Sequence, residues 1–227
     1  MRACTSGVKP ALVREKFEDA LKDGKDILCI TVSSGLSGSY DTIYMVALYL
    51  KGMYPARSIE VIDSLSATLA SGFLCMDALE MKKQGKTLQE TSEEIRKRVH
   101  RIDVYFVVDN FRYLVQGGRV SEAVGKIGDI LDIKLILTMK DGRIEPYRKS
   151  RGMNHALRNI KNIAQSKETA RLGVIYVGNT DMFNKCKSLV SNDCEADLNL
   201  IVSSHVGPDT TGIAIEWRVY SESDEKA

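Results

Sequence analysis

Residues 31–40 read TVSSGLSGSY. An apolar run, ILCITV, leads directly into Ser33, Ser34, Ser37 and Ser39, with Gly35 and Gly38 between them. Hydroxyls donate and accept hydrogen bonds without carrying charge. A loop that opens a helix adds free N–H groups and the positive end of the helix dipole. Together these suit a small anion or a carboxylate; the competing use of the same residues is a tight, self-capped turn. Thr5-Ser6-Gly7 is a second cluster of this kind, just ahead of a helix with Pro10 in its first turn, and by itself it reads as an N-terminal cap. His205 lies in SSHVGPDTTG, a shaped loop between two expected strands, LNLIV (198–202) and GIAIEWRV (212–219). An imidazole that titrates near neutrality there suits pairing with a carboxylate. Arg143, Arg148, Lys149, Arg151, Arg158 and Lys161 face one acid, Glu145, within residues 143–161. That segment is either a solvated helix face or a docking patch for an acidic partner or phosphate. Arg119 follows two glycines in QGGRVSEAV, a setting for an exposed functional loop.

Other chemistries find no support. GxGxxG is absent. The nearest approach to a P-loop, Gly118 to Gly125-Lys126, has the wrong gap, and Ile127 stands where a magnesium-binding hydroxyl belongs. There is no HExxH, no CxxC and no GxSxG, so zinc, thioredoxin and nucleophile-elbow chemistries are not indicated. Five cysteines, an odd number, with Cys29 and Cys75 inside apolar runs, fit a reduced cytoplasm. A net charge of +2 on 227 residues gives no reason to expect nucleic acid. No apolar run reaches the roughly 18 residues that would span a bilayer.

The elements that must position these residues follow from periodicity. A helix is expected over 11–23, with Val13, Phe17, Ala20 and Leu21 on one face and Gly24 ending it. ILCITV (27–32) reads as a strand buried on both faces. Helix 39–52, strand 59–63, an apolar helix 66–85 and a helix opened by a Thr87/Glu90 capping box follow. Helices alternating with strands indicate a parallel sheet covered by helices. Beyond residue 100 the pattern changes. Strand 103–108 is followed by a short helix capped by Ser121 and by a hairpin with Asp141-Gly142 at its tip. A helix near 152–166, strand 172–177, another helix and the two strands flanking His205 complete an α+β pattern. The expected domains are therefore 1–100 and 101–227.

TSGVKP, ITVSSGLSGSY, VIDSLSATLASG, VVDNFRYLVQGGRVS, IEPYRKSRG and SSHVGPDTTGIAI occur in the order in which the DegV family carries closely similar segments. The resemblance covers nearly the whole chain; SSGLSG and GGRVS are its most specific parts. It implies an α/β protein of two domains: a Rossmann-like first domain, and an α+β second domain with a mainly antiparallel sheet. It further implies a lipid-binding protein without catalysis or cofactor of its own, which holds a long-chain fatty acid between the domains. A separate fatty acid kinase then phosphorylates the presented carboxylate. By the same resemblance Thr5 and Ser34, with Ser33 as the nearest competitor, hold the carboxylate together with His205, and Arg119, Arg148 and Arg151 face the kinase or its phosphates. A dry tunnel suits the acyl chain, at about 0.8 kcal/mol per buried methylene; Met45, Leu48, Leu69, Phe73 and Met76 are the expected lining.

Two departures from the family pattern carry expectations. Family members have a further segment, with a first strand, ahead of the TS motif; here Thr5 follows only MRAC. Loss of that strand would expose a sheet edge and an apolar patch. Asp209 also stands where the family usually has glycine, which is expected to alter the loop around His205. Two other functions fit the residues. One is a small serine hydrolase or phosphotransferase with Ser34 as nucleophile and His205 as base; the other is an inactive remnant.

Overall fold

A computed structural model describes residues 5–121, 123, 124, 133–178 and 180–218. The chain forms two compact units. One comprises residues 1–67, 71–100 and 140–143; the other comprises 68–70, 101–139 and 144–227.

The first unit contains α1 (Pro10–Lys22), β1 (Ile27–Thr31), α2 (Ser39–Met53), β2 (Ile59–Asp63), α3 (Thr68–Lys83) and α4 (Leu88–Arg98), the first three residues of α3 being grouped with the second unit. Pro10 opens α1, where its missing N–H costs nothing. Thr87 and Glu90 form the expected reciprocal capping box on α4. β1 and β2 pair in parallel, Ile27 opposite Ile59 through Thr31 opposite Asp63. Leu21, Ala47, Leu50, Ile59 and Val61 form the core on one side of this sheet, with Phe17 packed against them.

ILCITV is not buried on both faces. Only Thr31 of β1 is buried, and among the described residues β1 has a strand on one side alone. A groove of about 770 Å³ lies along it, lined by Ile27, Leu28, Ile30, Cys75, Leu79 and Leu88 among others. Of the expected acyl-chain lining, Phe73 is core, whereas Met45, Leu48 and Met76 are exposed.

The second unit holds β3 (Ile102–Val107), α5 (Arg112–Gln116), β4 (Ile133–Lys140), β5 (Arg143–Arg151), α6 (Met153–Ala164), β6 (Thr169–Tyr176), α7 (Asp181–Leu189), β7 (Cys194–Asp197), α8 (Leu200–Val206) and β8 (Thr211–Trp217). Six strands run in the order β5-β4-β3-β8-β6-β7. The β3–β4, β3–β8 and β6–β8 pairs are antiparallel, and β6–β7 is parallel. The apolar face of α6, with Ala156, Leu157, Ile160 and Ile163, packs in one cluster with Val107, Ile136, Val174, Ile213 and Ile215 of the sheet. Asp141 and Gly142 both take positive φ, +48° and +77°. Two such residues form the turn whose twist matches a hairpin. The tip they form, residues 140–143, is grouped with the first unit.

The segment LNLIV is not a strand. Residues 200–206 form α8, because the Asn199 side chain caps the helix by accepting from the Val202 N–H at 3.1 Å. The strand of this region lies earlier, at Cys194–Asp197. His205 therefore sits in the last turn of a helix. Ser121 accepts from the Val124 N–H, as expected of a cap; most of that helix and the tail SESDEKA lie outside the described residues.

Candidate functional site

The SSGLSG loop is built by its own hydroxyls. β1 ends at Thr31, and the Ser33 N–H then donates to the Ser66 carbonyl at 2.8 Å, which ties this loop to the one that follows β2. The Ser33 hydroxyl donates to the Gly142 carbonyl at 2.6 Å and accepts from the Gly35 N–H at 3.1 Å. Ser33 is fully buried. It thus fastens the hairpin tip to the loop. The approach at this point is close: a Cβ at Gly35 would overlap the Gly142 carbonyl oxygen and lie 2.8 Å from its carbon.

Ser37 and Ser39 are engaged as well. The Ser37 hydroxyl accepts from the Ser39 N–H and donates to Ser39 Oγ at 3.0 Å. Ser39 Oγ accepts in turn from the Val8 N–H at 3.2 Å. This last bond brings the TSGVKP segment onto the SSGLSG loop and the start of α2. Thr5 is half-buried just upstream.

Ser34 differs from its neighbours. Its N–H donates to both oxygens of Asp63 at 3.2 Å, and Asp63 also accepts from the Leu65 N–H at 2.9 Å. The backbone is thereby fixed without use of the Ser34 hydroxyl, and the residue is exposed. Nothing in the sequence singles out Asp63 as part of the site. Its only signal was an acid at the carboxyl end of a strand, beside a second serine-rich loop. In that second loop Leu65 adopts φ +49°, the left-handed region that is costly for a branched side chain. Strain of this kind collects at ligand sites. Ser66, also buried, has a hydroxyl with no hydrogen-bond partner.

His205 has its own setting in the second unit. Burial first, and then the positive charge of Arg119, hold its imidazole below the ordinary value of 6.5. It is therefore neutral at physiological pH and able to donate or accept. The Arg119 guanidinium donates to the Gly117 carbonyl. Asp209 takes φ +56°, a conformation glycine adopts freely and Asp tolerates. Arg148 and Arg151 are exposed on β5, at the edge of the six-stranded sheet, and Arg148 lies over the Tyr147 ring at 5.7 Å. Among the described residues no cluster of His, Cys, Asp and Glu could hold a metal ion, and no helix is long and apolar enough to cross a membrane.

Comparison with known proteins agrees with this architecture. A DegV domain-containing protein of Clostridium acetobutylicum is 31% identical over 217 residues, which cover 92% of this chain and 76% of that protein. A Thermotoga maritima protein, whose structure is described as revealing a fatty acid binding function, is 26% identical; the match covers 94% of this chain and 77% of that one at a TM-score of 0.75. A DegV family protein of Eubacterium eligens loaded with heptadecanoic acid shares the fold at a TM-score of 0.84 and 21% identity, over 96% of this chain and 80% of that one. The family model described as uncharacterised protein, DegV family, matches residues 2–218. With its hydroxyl loop, its mainly antiparallel second sheet and a family match along nearly its whole length, the chain belongs to the DegV family.

Proposed function

We propose that this protein binds a long-chain fatty acid and presents its carboxylate, in the cytoplasm, to a fatty acid kinase that forms the acyl phosphate. The observation that carries this reading is the exposed Ser34 on a loop whose other hydroxyls hold the loop itself together. Relatives with solved structures, one loaded with heptadecanoic acid and one described as revealing a fatty acid binding function, support it. In this reading Thr5 and Ser34 donate to the carboxylate and the neutral His205 contributes a further hydrogen bond. Ser33 acts behind them by holding the loop. Uncharged donors offset the cost of desolvating a carboxylate without locking it into an ion pair, so its oxygen stays free to attack a phosphoryl group. Arg119, Arg148 and Arg151 serve as the cationic contacts for the kinase or its phosphates. No cofactor is needed, since the kinase supplies the ATP.

The serine hydrolase reading fits the electrostatics less well. A general base in a triad is oriented and raised by a carboxylate, whereas burial, and after it Arg119, lowers His205. Native mass spectrometry of protein purified from cells tests the proposal. One long-chain fatty acid per chain, extracted and identified by mass, is expected, together with no turnover of oleate and ATP unless a fatty acid kinase is added. A protein that stays empty after incubation with oleate and stearate overturns the reading. So does hydrolysis of an activated ester that disappears in Ser34→Ala.

A further inference from the structure

Two short helices of the second unit end on glycines, and each glycine receives an aromatic ring from the other helix. α5 ends at Gly117, whose backbone is ordinary right-handed helix (φ −74°, ψ −13°), so no conformational demand explains the glycine. Space does: a Cβ there would overlap Nδ1 of His205 and lie 3.3 Å from its Cε1. α8 ends at Gly207, with φ +82°. A Cβ at this second position would overlap the Tyr113 ring, at 2.9 Å from Cε2. Tyr113 belongs to α5 and His205 to α8, so the contact is reciprocal. Its backbone is pinned on both sides. The Tyr113 carbonyl accepts from the Gly117 N–H at 2.9 Å. Thr210 Oγ1 donates to the carbonyls of Val206 and Gly207, at 3.0 Å each. Arg119 closes the group by donating to the Gly117 carbonyl.

We propose that Tyr113, Gly117 and Gly207 are positioning residues that fix the imidazole of His205 for contact with the ligand's carboxylate. The proposal rests on the fatty-acid reading above and adds residues to it. An imidazole in the last turn of a short helix has two free side-chain torsions. Packing it against a bare Cα removes that freedom before the ligand arrives, which lowers the ordering cost of binding. The reciprocal ring on Gly207 holds the end of α8 that carries it.

The test uses the full-length protein with Gly117→Ala, Tyr113→Leu and Tyr113→Phe. Binding of oleate and of oleyl alcohol is measured by titration, and the His205 ring is followed through its own pH titration by NMR. Alanine suits the backbone at 117, so that variant is expected to stay folded with His205 displaced. The His205 titration then moves toward 6.5, and affinity for oleate falls about tenfold, in line with loss of one hydrogen bond to a charged group. Oleyl alcohol, which lacks the carboxylate, should bind as before. Tyr113→Leu should behave like Gly117→Ala, and Tyr113→Phe, which keeps the ring, like the wild type. An unchanged His205 titration in both Gly117→Ala and Tyr113→Leu overturns the proposal, as does an equal loss of affinity for acid and alcohol. Should Gly117→Ala fail to fold, the Leu and Phe pair at 113 decides by the same criteria. Failure of the wild type to bind oleate would sink the fatty-acid reading instead, while the His205 titration would still report on the positioning.

Discussion

Gly35→Ala tests the join between the SSGLSG loop and the hairpin tip. The added Cβ would overlap the Gly142 carbonyl oxygen and come within 2.8 Å of its carbon and 3.0 Å of Arg143 Cγ. The first two are backbone atoms and cannot rotate away. Relief requires loop and tip to separate by about 1 Å, since ordinary carbon contacts begin near 3.5 Å. That movement breaks the 2.6 Å bond from Ser33 Oγ to Gly142 O. Both residues are buried, so two polar groups lose their partner, at about 1–3 kcal/mol. Replacing glycine by alanine returns about 0.4–1 kcal/mol through the unfolded chain. With residual strain the net loss is about 2–3 kcal/mol. Ser33→Ala removes the same bond from the other side and should cost about 1–3 kcal/mol. Because both changes act through one contact, the double variant should be hardly less stable than Gly35→Ala alone. Urea unfolding of the four proteins, read as a double-mutant cycle, gives the coupling. Additive costs would refute the reasoning, for they would mean that the two residues do not share the Gly142 contact.

The remaining predictions concern the candidate site. Ser34→Ala should leave the urea midpoint within about 0.5 kcal/mol of wild type, the residue being exposed, and should lower oleate affinity about tenfold; unchanged affinity excludes Ser34 from the site. His205 has a folded-state value below 6.5, so on acidification the unfolded chain takes up the proton first. Its contribution to stability is complete above pH 6.5 and is lost as pH falls through the folded-state value; a His205→Gln protein with the same acid-side decline as wild type would contradict this. Ser66→Ala removes a buried hydroxyl that has no hydrogen-bond partner and should raise the urea midpoint by about 1 kcal/mol equivalent, a fall being the contrary result. Asp63→Asn keeps an acceptor for the Ser34 and Leu65 N–H groups and removes a negative charge beside the loop, so oleate should bind more tightly at low salt than to wild type, whereas Asp63→Ala should bind it more weakly. Equal affinity of the Asn protein and wild type at low salt would place the carboxylate elsewhere.

What the sequence displays are features whose cause lies within a few residues. The capping box of α4 and the Asp141-Gly142 turn are local chemistry, and both occur where the spacing places them. LNLIV misled because its β-branched, apolar residues resemble a strand, while the deciding signal is the cap at Asn199. Leu200 and Ile201, 89% and 64% exposed, are apolar without being core, so their periodicity carries no information on burial. β1 misled for a related reason: an apolar run shows that a strand can be buried, not that partners cover both its faces. The use of Ser33 could not be read at all. Its acceptor, Gly142, is 109 residues away, and nothing around Ser33 distinguishes its hydroxyl from that of Ser34. Likewise the backbone of Gly117 is ordinary right-handed helix, and the need for a missing Cβ there becomes visible only when His205 arrives from α8.

Asp63 bears on why this loop can serve an anion at all. A carboxylate at the base of a proposed carboxylate site would ordinarily repel the ligand, and at low ionic strength that repulsion reaches across several ångströms. Here both oxygens of Asp63 accept the Ser34 N–H, and one also accepts the Leu65 N–H. These backbone dipoles offset part of its charge, the remainder being what Asp63→Asn removes, and the same bonds hold the two loops in register. Ser33 Oγ and Ser37 Oγ perform the same service from the other side, on Gly142 and on Ser39. The acid and these hydroxyls together leave Ser34 as the exposed serine at the turn, on a backbone that no longer depends on its hydroxyl. A donor of this kind can turn toward a ligand oxygen without loss of the fold, whereas the Ser33 hydroxyl cannot, because releasing Gly142 would leave a buried carbonyl without its partner. The difference in duty between two adjacent serines therefore follows from the acceptors around them, not from their chemistry.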